Sequence, residues 1–218
     1  ELNNIIFSVL LLSFSFFLNK YLLIIFYRSK TNLLIDKEYK KPQAFHEHST
    51  YRLGGVTIFL TISLTFIYLF FSQNIYFPEY TSFCTLFFLL GFLDDIKINI
   101  LPKFRLGAMI LLLIFLVISN EIYIEKTGLE FLNHLLKIDI FALIFVILCF
   151  LFIINGANLI DGFNGLLGIH ALIIFSILFT INLINENSEL AFVLFFMILS
   201  TLIFLKFNFP RAQIFLGD

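Results

Sequence analysis

The chain has 218 residues, of which 60% are hydrophobic, 13% are charged and 32 are phenylalanine. A water-soluble domain of this length would expose more charge and less phenylalanine, so the composition excludes that class. The formal net charge of −1 offers no basic field for nucleic acid. Cys84 and Cys149 both lie inside apolar stretches, which favours small buried residues over a disulfide framework.

Seven apolar stretches approach the length of about 20 residues that a helix needs to cross a bilayer. An open sheet would leave edge amides without partners in lipid, so the spans are predicted to be helical. The predicted fold class is all-α, a polytopic membrane protein with about seven transmembrane helices in one membrane domain. A further stretch at 121–139 is at best an amphipathic interfacial segment. The predicted spans are residues 4–27, 54–72, 80–93, 106–121, 139–155, 168–184 and 190–205.

Lys and Arg are distributed unevenly between the two sets of loops. Eleven fall in the set that begins with residues 28–53, whereas two, Lys126 and Lys137, fall in the opposite set. Lys20 lies within the first span. This bias predicts that the basic set faces the cytoplasm and that the N-terminus lies outside.

The stretch LFFLLGFLDDIKINI, residues 86–100, places Asp94 and Asp95 at the C-terminal end of the third predicted helix. The helix dipole is negative at that end, and adjacent carboxylates repel each other unless a cation is near. One interpretation is a solvated helix end with Lys97 and Lys103 as counter-charges. The other is a base beside a ligand for Mg²⁺ or Mn²⁺, with substrate phosphates completing the metal's shell.

The stretch NGANLIDGFNGLLG, residues 155–168, spaces Asn155, Asn158 and Asp161 by three. On a helix these side chains share one face. Gly162 and Gly165 then break the helix or let a ligand approach the backbone. A helix end with an Asx turn is the simpler interpretation, and a polar binding cluster is the functional one.

Two basic or proline-containing segments complete the polar set. KKPQAFHEHSTYRLGG, residues 40–55, is either a positive-inside signal or a phosphate-binding loop, and its two histidines do not suffice for zinc. In FNFPRAQIFLGD, residues 207–218, Pro210 is expected to end the seventh helix and Arg211 could contact an anion. Because Asp218 directly follows a glycine in this motif, we expect truncation at the C-terminus. The first residue is Glu1 rather than Met, so truncation or processing is also considered at the N-terminus.

Four segments, in this order and on one predicted face, resemble the polyprenyl-phosphate N-acetylhexosamine-1-phosphate transferases of glycosyltransferase family 4. They are STYRLGG, GFLDDIKINILPKFRL, NGANLIDGFNGLLG and FNFPRAQIFLGD. The resemblance is closest to the branch that begins O-antigen, enterobacterial common antigen or teichoic acid linkage units. The family also includes the transferase that makes the first lipid intermediate of peptidoglycan.

The resemblance implies a reaction at the cytoplasmic face of the bacterial inner membrane. Polyprenyl phosphate attacks the β-phosphorus of a UDP-amino sugar such as UDP-GlcNAc, the sugar 1-phosphate moves to the lipid, and UMP leaves. Mg²⁺ is implied as the cofactor, with Mn²⁺ as a substitute. Phosphoryl transfer requires such a cation to offset charge between two phosphates.

The resemblance also implies catalytic roles for Asp94, Asp95 and Asp161. Asp94 matches the base that takes the proton of the lipid phosphate, and Asp95 would hold metal or orient that base. Asp161 belongs to the polar cluster at the nucleotide end. Asp218 matches a metal-binding aspartate, so the implied metal ligands are Asp218 and Asp95.

Substrate binding is implied for Asn155, Asn158, Asn164, Lys41 and Arg52, the last two as phosphate contacts. Asn164 replaces the second acid of the family's Asp-Gly-x-Asp-Gly pattern, which keeps hydrogen bonding but loses charge. A metal role is therefore not expected at that position. Family members also continue into further helices and a loop rich in His and Arg, so part of the implied active site lies beyond residue 218.

Two other classes of function are alternatives to the transferase. A multi-span transporter of a lipid-linked or anionic substrate would line its pathway with intramembrane charges, whereas the acids here cluster at one face. A structural membrane subunit leaves the cluster at 155–168 without a purpose. The sequence does not identify the sugar, the glycan pathway or the oligomeric state. A homodimer is one oligomeric arrangement that it allows.

Overall fold

The computed structural model of the chain describes residues 2–29, 34–36, 50–96 and 101–217. Within these residues the protein forms eight helices and three short strands. The helices are α1 (Leu2–Ser29), α2 (Gly54–Gln73), α3 (Pro78–Asp95), α4 (Pro102–Ser119), α5 (Glu130–Leu135), α6 (Asp139–Ile160), α7 (Leu166–Ile184) and α8 (Ser188–Asn208). The strands are β1 (Ile35–Asp36), β2 (Thr50–Arg52) and β3 (Ile214–Phe215).

The predicted all-α, multi-pass membrane class is confirmed, and each predicted span corresponds to a helix. In the described part of the chain, six helices are long and apolar enough to cross a membrane, namely all the long ones except α3. Helix α3 has 18 residues and carries Glu79, Asp94 and Asp95, which place polar groups at both of its ends. It packs against α2 and α4 and ends at the site where both of those helices begin, so it runs the length of the bundle as the sequence predicts for the third span.

Local signals set the ends of several helices. Pro78 and Pro102 stand in the first turns of α3 and α4, where a missing N–H costs nothing. Asn74 ends α2 in the left-handed conformation, with φ of 54°. The Asn187 side chain caps α8 by accepting a hydrogen bond from the Leu190 amide at 3.3 Å.

Helix α8 is the centre of the packing, because it contacts α1, α2 and α7. On α2, Thr57, Thr61 and Thr65 are buried against its neighbours. The Thr61 and Thr65 hydroxyls donate to carbonyls one turn earlier in the same helix, at 2.8 and 2.9 Å. These small hydroxylated side chains satisfy their own polar groups and let helices approach closely in lipid.

A three-stranded sheet, in the order β1-β2-β3, lies at one end of the bundle. β1 and β2 are antiparallel, β2 and β3 are parallel, and Tyr51 pairs with both Ile35 and Ile214. Tyr51, Leu53 and Ile214 join Phe204 of α8 in a buried cluster beneath the sheet. The sequence did not predict this sheet, since strands of two or three residues are too short to show periodicity. We call this end of the bundle the site end.

Helix α1 continues past the level at which α2 begins. The Thr57 hydroxyl donates to Asn19 Oδ1 at 3.1 Å, so residue 19 lies one turn inside the start of α2 at Gly54. Lys20, which the sequence places within the first span, therefore lies near the level at which α2 begins. The 28 residues of α1 extend about 42 Å, which exceeds the bilayer's hydrocarbon core of about 30 Å.

Candidate active site

The acid pair at the end of α3 is held between two arginines from different elements. Arg52 of β2 donates from Nη1 to Asp95 Oδ1 at 3.1 Å, and Arg105 of α4 forms an ion pair with Asp94 Oδ2. Asp95 is 7% exposed, whereas Asp94 is partly exposed. The cation that the sequence required beside this pair is thus present as two guanidinium groups. Lys97, one of the counter-charges considered from the sequence, lies outside the described residues.

This arrangement offsets the two unfavourable terms at the end of α3. The helix dipole and the mutual repulsion of the carboxylates both disfavour charge on Asp94 and Asp95. Each guanidinium favours the ionised form of the carboxylate that it contacts. Each carboxylate of the pair thus has a guanidinium partner from another element.

Asp161, at the end of α6, binds the backbone of the chain's last described segment. Its Oδ1 accepts from the Leu216 amide at 3.2 Å and its Oδ2 from the Gly217 amide at 3.0 Å. Asp161 is 8% exposed, so these bonds form away from bulk water. The Asp161 carboxylate thus fixes the backbone of residues 216–217 beside the end of α6.

Gly217 brings this segment directly beside Asp95. It has a φ of +93°, and a Cβ added there would collide with Asp95 Oδ2 and lie 3.3 Å from the Arg52 Cβ. A glycine is therefore required on both conformational and steric grounds. Asp218, the predicted metal ligand, follows immediately and lies outside the described residues, as does Lys41.

The predicted asparagines divide into two groups. Asn155 and Asn158 lie on α6, which extends to Ile160 rather than ending near 155 as predicted, and both line the same cavity as Asp95. Asn164 instead donates from Nδ2 to the Pro210 carbonyl at 3.0 Å. Its Oδ1 is buried and has no hydrogen-bond partner in the described part of the chain. Asn164 thus connects two loops through a hydrogen bond, at the position where the family pattern has an acidic residue.

Asn208 was not among the predicted residues, yet it joins the same loops. It is 2% exposed, and its Oδ1 accepts from the Gly165 amide at 2.6 Å while its Nδ2 donates to the Ile214 carbonyl at 2.8 Å. Gly165, with φ of +78°, begins α7 and lies against the Phe209 ring. The sequence signal that could have identified Asn208 is its position at the end of an apolar helix, two residues before a proline. Arg105 was missed as well.

The two glycines that open α2 let the β3 segment sit on the start of that helix. The Gly55 amide donates to the Leu216 carbonyl at 2.8 Å, and a Cβ at Gly55 would lie 2.8 Å from that oxygen. A Cβ at Gly54 would lie 2.6 Å from the Phe204 ring. The described parts of the segments STYRLGG and FNFPRAQIFLGD therefore pack together, in agreement with their predicted location on the same face of the membrane.

Tyr51 stabilises the sheet beside the site. Its hydroxyl donates to the Phe26 carbonyl at 3.2 Å, and its ring contacts the rings of Phe26 and Tyr27. Burial, followed by the neighbouring Tyr27, raises the pKa of the Tyr51 phenol. The phenol therefore remains a neutral donor well into the alkaline range.

A cavity of about 390 Å³ opens between α2, α3, α4, α6 and α7 at the site end. One part is polar and includes Arg52, Asp95 and Arg105. The rest is apolar and aromatic. Helices α2 and α7 both begin at this cavity, so their positive dipole ends favour an anion there. The apolar lining consists mainly of Phe87, Phe88, Leu90, Phe92, Met109, Ile153 and Ile154.

The carboxylates suit a hard divalent cation. No three side chains of His, Cys, Asp or Glu converge within the described ranges 2–29, 34–36, 50–96 and 101–217. Mg²⁺, however, is usually bound by one or two carboxylates together with waters and substrate phosphates. Asp95 and Asp161 both adjoin Gly217, the residue before Asp218.

Comparison with known proteins identifies relatives of the chain. Residues 77–218 match the family model described as glycosyl transferase family 4. The phospho-N-acetylmuramoyl-pentapeptide-transferase of Dictyoglomus turgidum is 31% identical over 100% of this chain and 70% of its own length. The proteins of the same name from Listeria innocua and Prochlorococcus marinus are each 32% identical, over 81% and 87% of this chain. The chain spans 59% and 57% of those two relatives.

Proposed function

The chain belongs to glycosyl transferase family 4, and from this membership we propose that it transfers a sugar 1-phosphate from a nucleoside diphosphate sugar to polyprenyl phosphate. The proposed donor is a UDP-linked N-acetylhexosamine such as UDP-GlcNAc. The products are a polyprenyl diphosphate sugar and UMP. The observation that carries the proposal is the cavity at the site end, where arginine-paired carboxylates meet an apolar wall.

The two parts of the cavity match the two parts of the lipid substrate. A polyprenyl phosphate has a long apolar chain and a dianionic head. The aromatic and aliphatic walls formed by α3, α4 and α6 suit the chain. The guanidinium groups of Arg52 and Arg105 and the N-termini of α2 and α7 suit the head. A site at the end of a helical bundle admits both the lipid and a water-soluble nucleotide.

In the proposed step, an oxygen of the lipid phosphate attacks the β-phosphorus of the donor. The bond between that phosphorus and the oxygen bridging to the α-phosphate breaks, and UMP leaves. The proton of a monoanionic lipid phosphate passes to Asp94. Arg105 orients the Asp94 carboxylate through their ion pair, while Arg52 holds Asp95 in place beside it.

We propose Mg²⁺ as the cofactor, with Mn²⁺ as a substitute, held by Asp95, Asp161 and Asp218. When bound, it would offset the negative charge between the phosphates of the two substrates. Lys41 and Arg52 are proposed as phosphate contacts, and Asn155, Asn158 and Asn164 as contributors to nucleotide binding. The geometry gives Asn155 and Asn158 the more direct access, because both line the cavity.

The proposed setting is the inner membrane of a bacterium, with the site end facing the cytoplasm, in the synthesis of a cell-envelope glycan. Sequence resemblance favours the branch that begins O-antigen, whereas the relatives carry a name from the peptidoglycan branch. Parallel assays with UDP-GlcNAc and UDP-N-acetylmuramoyl-pentapeptide separate these alternatives. Conversion of the first donor alone supports the O-antigen-type branch.

The pH dependence of Asp94→Asn tests the base directly. A phosphate monoester has a second pKa of about 6, so the lipid phosphate is increasingly dianionic as the pH rises from 6 to 9. If Asp94 removes the remaining proton, the loss of turnover in Asp94→Asn should be largest near pH 6 and should shrink toward pH 9. Turnover is measured as labelled lipid formed with Mg²⁺ present.

The matched control is Asp139→Asn, at the opposite end of α6, which should keep parental turnover throughout. A loss in Asp94→Asn that stays constant across this range would reject Asp94 as the base while leaving the transferase activity intact. If no variant and no parental protein forms lipid product, but liposomes take up label by counterflow, a transporter replaces the proposal.

A further inference from the structure

Two lysines share the seam between α1 and α8 near the site end. Lys206 Nζ lies 4.8 Å from the centroid of the Phe16 ring. Lys20 follows Phe16 by four residues, so it lies on the same side of α1 one turn further along. Lys20 and Phe16 therefore lie on one side of α1, which places Lys20 one helical turn from the ring that Lys206 contacts.

Both lysines lie near the level at which α2 begins and α8 ends. The hydrogen bond between Thr57 and Asn19 puts Lys20 about 5 Å from the start of α2, at 1.5 Å per residue. Lys206 stands two residues before the end of α8 at Asn208. Both residues thus lie toward the site end of the bundle, from where a long side chain can reach headgroup phosphates.

No carboxylate within the described residues pairs with either lysine, since the ion pairs there are those of Arg52 and Arg105. Both lysine side chains are exposed. Within the described residues the seam therefore presents two exposed cations without a carboxylate partner, and an anion from outside the chain would offset their charge.

The surroundings identify the source of that anion as a lipid. Phe17, Tyr21 and Leu202, which adjoin the seam on α1 and α8, are exposed apolar or aromatic side chains, as expected of a surface against acyl chains. We propose that the Lys20–Phe16–Lys206 seam binds the phosphate of an anionic phospholipid. This site is separate from the cavity at the acid pair, to whose lining α1 contributes no described residue.

The chain contains no tryptophan, which allows a local fluorescent reporter. Phe17→Trp in the otherwise unchanged chain is reconstituted in vesicles of phosphatidylcholine with increasing brominated phosphatidylglycerol, whose bromine quenches tryptophan by contact. The quenching curve yields the binding constant of phosphatidylglycerol relative to phosphatidylcholine. One lysine near an anionic surface contributes about five-fold, so the double variant Lys20→Gln/Lys206→Gln should lower the ratio by up to about thirty-fold.

The control double variant Lys126→Gln/Lys137→Gln removes the same charge from the opposite end and should leave the ratio unchanged. Lys20→Arg/Lys206→Arg keeps both cations and should retain the preference, which separates charge from misfolding. An unchanged ratio in the glutamine double variant overturns the proposal. Relief of the quenching by inorganic phosphate, at constant ionic strength, would instead identify a site for free anions and overturn the assignment to lipid.

Discussion

Replacing Gly217 with alanine should damage both the stability and the activity of the protein. Gly217 has a φ of +93°, and an added Cβ would collide with Asp95 Oδ2 and lie 3.1 Å from Asp95 Cγ. Neither obstacle can be avoided by a side-chain rotation of the new residue, because a methyl group has no rotamers. Either the backbone of 216–217 or the Asp95 carboxylate must move.

The expected magnitude has two parts. A non-glycine residue held at positive φ costs about 1–3 kcal/mol. For a chain of 150–250 residues, 1 kcal/mol corresponds to about 2–4 °C in Tm, so a loss of about 2 kcal/mol lowers Tm by about 4–8 °C. The displaced Asp95 also loses its geometry toward Arg52, and a misplacement of about 1 Å lowers turnover by roughly a hundred-fold.

The assay is a thermal unfolding scan in detergent, combined with turnover of labelled donor to lipid product. Gly107→Ala is the matched control, since Gly107 lies inside α4 and an added Cβ meets nothing within 4 Å. Alanine is the better helix former by about 0.5–1 kcal/mol, so this control should raise Tm slightly and preserve turnover. The two substitutions are chemically identical and are predicted to have opposite effects on stability.

A Gly217→Ala protein with parental Tm and parental turnover would refute the account of this contact. Loss of turnover with an unchanged Tm would show that the carboxylate alone moves. In that case the strain argument for the backbone would be wrong, while the proximity of Gly217 to Asp95 would stand.

Three further predictions concern other contacts. Arg52→Gln should destabilise the protein by about 1–3 kcal/mol, because Asp95 is 7% exposed and loses a charged hydrogen bond; Arg52→Lys should restore part of this in a chemical unfolding titration. Asn208→Ala removes two buried bonds and should cost about 2–4 kcal/mol, which a lower Tm would record. For Tyr51, the folded-state pKa is raised above its ordinary value of 10.0, so its contribution is fully present below pH 10 and is lost as pH rises through the folded-state pKa. Tyr51→Phe should therefore flatten the fall in Tm above pH 10, and an equally steep fall would contradict this.

The transmembrane helices could be predicted from the sequence because the lipid environment determines their secondary structure. An apolar stretch of sufficient length has one way to satisfy its backbone in lipid, so hydropathy alone located α1, α2, α6, α7 and α8. Helix α4 begins at Pro102, earlier than predicted. Helix α6 runs to Ile160, since asparagine and glycine at its end do not interrupt a helix that packs against neighbours.

The partners of the site residues could not be predicted in the same way. The acid pair called for a nearby cation, and sidedness placed several candidates on the same face. Which cation pairs with Asp95 depends on a contact across 43 residues of sequence, between Arg52 and Asp95. The same applies to Asn208, whose bond to Gly165 also spans 43 residues. Polar contacts between loops produce no periodic pattern in the sequence. The hydrogen bonds and ion pairs that hold the loops around the site are therefore seen only in the three-dimensional structure.

The central claim is that phosphorus moves together with the sugar, and an isotope tests it most directly. A UDP-N-acetylhexosamine donor labelled with ³²P at the β-phosphate is incubated with polyprenyl phosphate, Mg²⁺ and the protein in its longest natural form. The account predicts ³²P in the organic phase as lipid diphosphate sugar, with unlabelled UMP in the water phase. Sugar transfer that leaves the ³²P in water-soluble UDP would contradict it.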